Sequence, residues 1–206
     1  MSLEFIALGT GVCVKGGPVL FKFFSKHFGK DKYRGLREKN KICFVMPSKS
    51  GKSYLVNHLD NSLYLSLDLD DLSSFVKKEE VDRLEELKKS NESLYSLLYR
   101  DVVRNSLNEV KKQVKASNKK LLCVCSNYEL ATYLFKSTSV YVALPSRSFR
   151  QNIREGLNNE KDKKVFNDSV EDILQHLHKN KPVLVFNSYN ELNNQMIQLL
   201  GIQNKI

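Results

Sequence analysis

Residues 42–53 read ICFVMPSKSGKS: an apolar run, a Pro/Ser/Lys/Gly loop, and the start of an amphipathic stretch that continues to Leu59. An apolar run without alternation is what a strand covered on both faces looks like. Gly51, Lys52 and Ser53 complete the pattern G-x-x-x-x-G-K-[ST], and the strand before and helix after are the setting that gives that pattern its meaning. Such a loop turns the backbone N–H groups of Ser48, Lys49, Ser50, Gly51, Lys52 and Ser53 inward, so that phosphate sits where the helix begins. Lys52 is expected to reach the β- and γ-phosphates and Ser53 to ligate Mg²⁺. Gly51 lets the backbone approach the anion closely. One position departs from the pattern: Met46 stands where the first glycine belongs, and Pro47 with Ser48 is expected to make the turn in its place.

Outward from this loop the chain is regular. Strands are expected at Lys41–Met46, Leu63–Leu69, Lys120–Cys125, Ser139–Leu144 and Pro182–Asn187. Helices are expected at Lys52–Leu59, Glu79–Lys89, Glu92–Val114, Glu129–Lys136, Phe149–Leu157, Asp168–His178 and Asn190–Leu200. The second and third form an insert whose Leu94, Leu97, Leu98, Val102, Leu107 and Val110 lie roughly on one stripe. The polar stretch Leu157–Asp168 is expected to be a mobile loop. Alternation of strand and helix argues for an α/β fold, a parallel sheet flanked by helices.

Two further segments carry chemistry. LYLSLDLDDL, Leu63–Leu72, ends a strand on acids, and acids at the carboxyl end of a parallel strand face the crevice where ligands of open α/β sheets bind. Asp68 is expected to hold Mg²⁺, and Asp70, two residues on, to orient an acceptor hydroxyl or act as its base. Capping of the following turn by Asp70 or Asp71 is the competing role. LPSRSFRQNIREGLNNEKDKK, from Leu144, carries Arg147, Arg150 and Arg154 and then Lys161, Lys163 and Lys164. Arginines on a segment that closes over a polyphosphate would neutralise charge on the transferred phosphoryl group and exclude water.

Composition sets the outer bounds. The chain has 206 residues, 41% hydrophobic and 27% charged, which is globular rather than disordered. A formal charge of +10 points to an anionic partner: nucleotide, nucleic acid or an acidic surface. Nucleic acid is the less favoured of these, since no aromatic platform is interleaved with the basic residues. Of the four cysteines (Cys13, Cys43, Cys123 and Cys125), three lie in apolar runs. Cys123 and Cys125 are expected on opposite faces of their strand, so no metal cluster is expected. A reducing, cytoplasmic compartment is. Residues 1–40 read as a separate extension before a domain at 41–206. Leu3–Phe24 is apolar but holds four glycines, Pro18 and Lys15, too interrupted for a membrane-crossing helix. This arm is expected either to pack over the core domain or to meet a protein or a membrane surface.

Taken in order, MPSKSGKS, LDLDD, LPSRSFRQNIREG and KPVLVFNSYNELNNQMIQLL resemble the nucleoside-monophosphate-kinase-like branch of P-loop proteins, near the shikimate and small-metabolite kinases. The resemblance covers Lys41 to Leu200. It implies a three-layer αβα fold with five parallel strands ordered 2-3-1-4-5, with the helical insert between strands 2 and 3. It also implies ATP or GTP with Mg²⁺, and transfer to a nucleoside monophosphate or another small hydroxylated acceptor. The loop of Asn187, Ser188 and Tyr189 would meet the base. Where the family has a glycine-rich or acidic motif after the third strand, this chain has CSNYEL, whose Ser126 and Asn127 can hydrogen-bond a ligand but carry no charge. Arg100 and Arg104 lie on the insert, where the family often keeps substrate arginines. These departures leave open a second reading, a kinase fold that has become a scaffold or assembly protein. The Lys- and Asn-rich composition, of the kind AT-rich genomes give, would suit a viral, virion-associated or membrane-peripheral form of it.

Overall fold

The computed structural model describes residues 39–59, 63–177 and 183–200; the expected arm at residues 1–40 lies outside them except for its last two residues. Five strands, β1 (Lys41–Val45), β2 (Tyr64–Asp68), β3 (Lys120–Cys125), β4 (Val140–Pro145) and β5 (Val183–Phe186), form one sheet. Its order is β2-β3-β1-β4-β5 and every pairing is parallel, with Cys43 opposite Cys123 and Phe44 opposite Tyr141. This is the fold class and strand order expected.

The helices are α1 (Lys52–His58), α2 (Lys78–Ser90), α3 (Glu92–Ala116), α4 (Tyr128–Leu134), α5 (Arg147–Glu155), α6 (Glu160–His176) and α7 (Tyr189–Leu200). The alternation of β1 explains the layers, because successive side chains point to opposite faces. Cys43 and Val45 enter a core closed by Val103, Leu107, Val110 and Val114 of α3, by α4 and by Ile173 of α6. Ile42, Phe44 and Met46 enter a second core closed by Leu55 of α1 and by Leu192, Met196 and Leu200 of α7. The central strands are buried on both sides, which is why they read as unbroken apolar runs.

Three local expectations are corrected. Cys123 and Cys125 do not face opposite ways: they are two apart and share one face, lining the same core as Cys43, with Cys43 Sγ 3.8 Å from Cys125 Sγ. The buried stripe of α3 is Val103, Leu107, Val110 and Val114, while Leu97 is 66% exposed. Residues 160–168 are not a loop but the first half of α6. Asn159 caps that helix by accepting a hydrogen bond from Asp162 N at 2.7 Å, Lys163 Nζ lies 2.8 Å from Glu160 Oε1, and Phe166 is buried to 1% exposure beside Ile153 and Val170. A polar first turn hid a helix whose apolar contacts begin one turn later.

Candidate functional site

The loop between β1 and α1 makes its turn without the first glycine. Met46 is fully buried, its side chain sunk into the α1/α7 core and its N–H bonded to Cys125 O at 2.8 Å. The turn is made one residue later. Pro47 O accepts from Ser50 Oγ at 2.6 Å, from Ser50 N at 3.2 Å and from Lys52 Nζ at 3.2 Å. Ser50 is therefore a buried brace of the loop. Lys49 and Gly51 take left-handed backbone, with φ of 62° and 96°; glycine does this at no steric cost, lysine at some strain. Ser48 N donates to Ser169 Oγ of α6 at 3.0 Å, and Lys49 Nζ pairs with Asp162 at 3.4 Å, so α6 holds the outer side of the loop.

Lys52 is only 7% exposed. Its ammonium lies 3.1 Å from Asp70 Oδ2, as a buried charge must lie near an opposite one. Asp70 is fixed in turn by Ser126 N, which donates to its two carboxylate oxygens at 3.2 and 3.1 Å. Asp68, at the end of β2, accepts from Ser53 Oγ at 3.4 Å and from Asp70 N at 3.1 Å. Burial and the neighbouring Asp70 carboxylate push the Asp68 carboxyl above its ordinary range, against the pull of Lys52. The three acids of LDLDD thus divide. Asp71 turns to the following turn, taking Ser73 Oγ at 2.6 Å, while Asp68 and Asp70 face the loop.

The CSNYEL segment contributes differently from its expected part as a side-chain ligand pair. Ser126 uses its backbone N–H, and Asn127 is the cap of α4, accepting from Leu130 N at 2.8 Å. A backbone donor leaves no trace in a residue pattern, so this support of Asp70 was not legible.

Beside the loop lies a groove of about 250 Å³ lined by Lys49, Phe149, Asn152, Ile153, Gly156, Leu157 and Tyr189. Of the three residues expected at the base, only Tyr189 lines it. Asn187 gives its N–H and its side-chain amide to Glu191 at 2.7 and 3.0 Å, and Ser188 Oγ accepts from Glu191 N at 3.1 Å, so both are spent in starting α7. Tyr189 stands edge-on to Phe149, with centroids 5.3 Å apart and planes at 74°. Sequence reasoning missed Phe149 and Asn152; an aromatic at the start of a basic helix was the available signal.

The arginines are placed but not brought together with the loop. Arg147, Arg150 and Arg154 share one stripe of α5, and Phe149, Asn152, Ile153 and Gly156 of the groove lie on another face of the same turns. Arg150 Nε is buried without a partner among the described residues, and burial, then Arg147, lowers the pKa of its guanidinium. On the insert, Arg100 pairs with Glu129 at 3.3 Å and Arg104 with Asp101 at 2.8 Å.

A five-stranded parallel sheet in the order 2-3-1-4-5, with a lysine-bearing loop after the central strand, defines the P-loop kinase class of fold. Dephospho-CoA kinase from Campylobacter jejuni is similar in structure, at 17% identity and a TM-score of 0.50, the match covering 79% of this chain and 96% of that one. Shikimate kinase from Acinetobacter baumannii in complex with shikimate matches at 16% identity and a TM-score of 0.45 over 84% and 99% of the two chains. No protein-family model and no curated protein matches the sequence. The chain is a divergent member of the P-loop kinase-like fold.

Proposed function

We propose that this protein binds a nucleoside triphosphate, ATP or GTP, and transfers its γ-phosphoryl group to a small hydroxylated acceptor, a nucleoside monophosphate among the possibilities. The observation that carries this reading is the set Lys52–Asp70 and Ser53–Asp68 at the mouth of one loop, with separations of 3.1 and 3.4 Å.

The loop amides of Lys49, Gly51, Lys52 and Ser53, with the Lys52 ammonium, would take the β- and γ-phosphates, while Ser50 N stays on Pro47 O. Lys52 is parked on Asp70 and Pro47 O, and a triphosphate would exchange both of those oxygens for phosphate oxygens. Asp70 then keeps Ser126 N and gains a free oxygen for the acceptor hydroxyl. The acceptor oxygen bonds to the γ-phosphorus, the bond to the bridging β-oxygen breaks, the nucleoside diphosphate leaves with that electron pair, and the hydroxyl proton passes to Asp70. Ser53 and Asp68 fit a Mg²⁺ ion, a hard cation that takes one or two protein oxygens and fills the rest of its shell with phosphate and water; bound there, it would shield the charge of the phosphates. Arg147, Arg150 and Arg154 stand on the stripe of α5 away from the groove, so the transfer relies on Lys52 and the loop amides for its positive charge. Tyr189 is the base contact.

The test is calorimetric titration of the full chain with ATP and GTP, with and without Mg²⁺, beside Lys52→Met, which keeps the aliphatic stem. Mg²⁺-dependent binding between about 1 μM and 1 mM, the range in which enzymes commonly hold substrates, and lost in the variant, is expected. Absence of binding at millimolar nucleotide overturns the reading.

A further inference from the structure

We propose that Ser169 of α6 is a positioning residue for the phosphate loop, holding from outside the one peptide on which the loop turns. This role rests on the nucleotide reading above and adds to it a residue that no loop pattern contains.

The peptide between Pro47 and Ser48 is clamped at both edges. Its carbonyl, Pro47 O, faces inward and accepts from Ser50 Oγ at 2.6 Å, from Ser50 N at 3.2 Å and from Lys52 Nζ at 3.2 Å. Its N–H lies on the opposite edge of the same plane and donates to Ser169 Oγ at 3.0 Å. Ser169 Oγ donates in turn to Phe166 O at 2.8 Å, which engages its proton on α6 and leaves its lone pairs to the loop. Phe166 is itself a buried core residue. A line of hydrogen bonds therefore runs from the core through Ser169 and this peptide to the Lys52 ammonium.

The loop needs such a hold because its turn is strained. Ser50 N to Pro47 O closes a four-residue turn. Its third residue, Lys49, has a φ of 62°, while Ser48 is not among the residues of positive φ. That is the type II arrangement, which favours glycine or asparagine at the third position. A lysine there is relieved in the type I form, reached by turning over the peptide between Ser48 and Lys49, and this reverses the direction of the Lys49 N–H. Lys49 N makes no hydrogen bond among the described residues, so it is open to an anion and its direction matters. Asp162 and Ser169, seven apart and so on one face of α6, take the two corners of the turn: Asp162 the Lys49 ammonium at 3.4 Å, Ser169 the Ser48 N–H. Asp162 also withholds a cation from phosphate, so its removal acts in both directions. Ser169 is uncharged and acts on the shape of the loop alone.

The experiment measures dissociation constants of ATP with Mg²⁺ and of inorganic tripolyphosphate for the full chain, Ser169→Ala and Ser169→Thr, with the melting temperature of each. Alanine is the better helix former, so the alanine variant keeps α6, and titration well below its melting temperature reads the folded protein. Ser169→Ala is expected to bind both ligands about three- to tenfold more weakly, the loss of one hydrogen bond that pre-organises the loop. Threonine keeps a hydroxyl that can bond a carbonyl one turn back in a helix, and the half-buried position leaves room for its methyl group. Ser169→Thr is therefore expected to stay within about twofold of the intact protein. A serine that only braced the fold would lower the melting temperature in Ser169→Ala and leave both dissociation constants unchanged. That result overturns the inference, as does an equal loss in the alanine and threonine variants, and in either case binding by the intact protein leaves the nucleotide reading standing. If the intact protein binds neither ligand, the nucleotide reading falls and the role of Ser169 falls with it.

Discussion

The ring of Tyr189 fills the space beside Gly51 so closely that a β-carbon there would come within 2.5 Å of Tyr189 Cε1 and 2.7 Å of Cδ1. The first residue of α7 thus sets the width of the loop before α1. Gly51 also holds a φ of 96°, a conformation costing a non-glycine residue about 1–2 kcal/mol. Gly51→Ala meets both penalties. A melting temperature lower by at least roughly 2–4 °C per kcal/mol lost is expected, and nucleotide binding is expected to fall with it. Gly51→Ala/Tyr189→Ala removes the collision and leaves the backbone strain, so it should recover part of the stability. Thermal denaturation of the three proteins checks this.

The pair Lys52–Asp70 has a consequence for stability as well as for binding. Truncating one partner of a fully buried pair costs about 3–5 kcal/mol because the other charge is left alone. The Asp70 side chain is 31% exposed and water screens part of that, so about 1–3 kcal/mol is expected for Lys52→Met or Asp70→Asn. Removing both charges should cost less than the sum of the two single changes, since the coupling is counted once in each. Urea denaturation of the four proteins in a double-mutant cycle measures it. Strict additivity would mean that the two side chains do not hold one another.

The strand order and the chemistry-bearing ends of β1 and β2 were legible in the sequence because buried parallel strands write themselves as apolar runs and the loop residues follow a fixed spacing. Met46 was legible as a departure but not as a solution: only its burial opposite Leu192 and Met196 in one core, and the use of Pro47 O as the turn acceptor, show how the loop does without glycine. Ser126 N, Ser169 Oγ and Asn152 were not legible. The first is a backbone donor, and the other two reach the loop and groove from helices distant in sequence.

Asp68 should give stability a pH signature. Its folded carboxyl titrates above the ordinary carboxylate range, from burial first and then Asp70. A group whose folded pKa is raised contributes most below its unfolded pKa, where both states are protonated on it, and loses that contribution as pH rises through the folded value. Asp68→Asn removes the charge that burial disfavours. Without Mg²⁺ or nucleotide, the variant is expected to gain stability over the intact protein at neutral pH and to lose that advantage as the solution is acidified below the ordinary carboxylate range. Melting curves across that interval test the sign. An advantage that grows on acidification would contradict it. With Mg²⁺ and nucleotide present, the order at neutral pH should reverse, because the intact carboxylate then has a cation to hold.

The first half of α6 offers the sharpest check on the fold itself, because a polar stretch there reads as a loop and folds as a helix. A loop at Leu157–Asp168 would tolerate substitution. A capped helix would not. Asn159 accepts from Asp162 N at 2.7 Å, and loss of such a cap costs about 1 kcal/mol. Phe166, buried with Ile153 and Val170, is a core side chain whose truncation costs about 3–5 kcal/mol. Both changes should therefore lower stability, Phe166→Ala by more than Asn159→Ala. Asn159→Ala should also loosen Asp162, the partner of Lys49 at 3.4 Å, and so release one outer restraint on the loop. Amide exchange across residues 160–168 separates the two structures directly: slow exchange marks a helix, and exchange at the rate of an unfolded chain marks a loop.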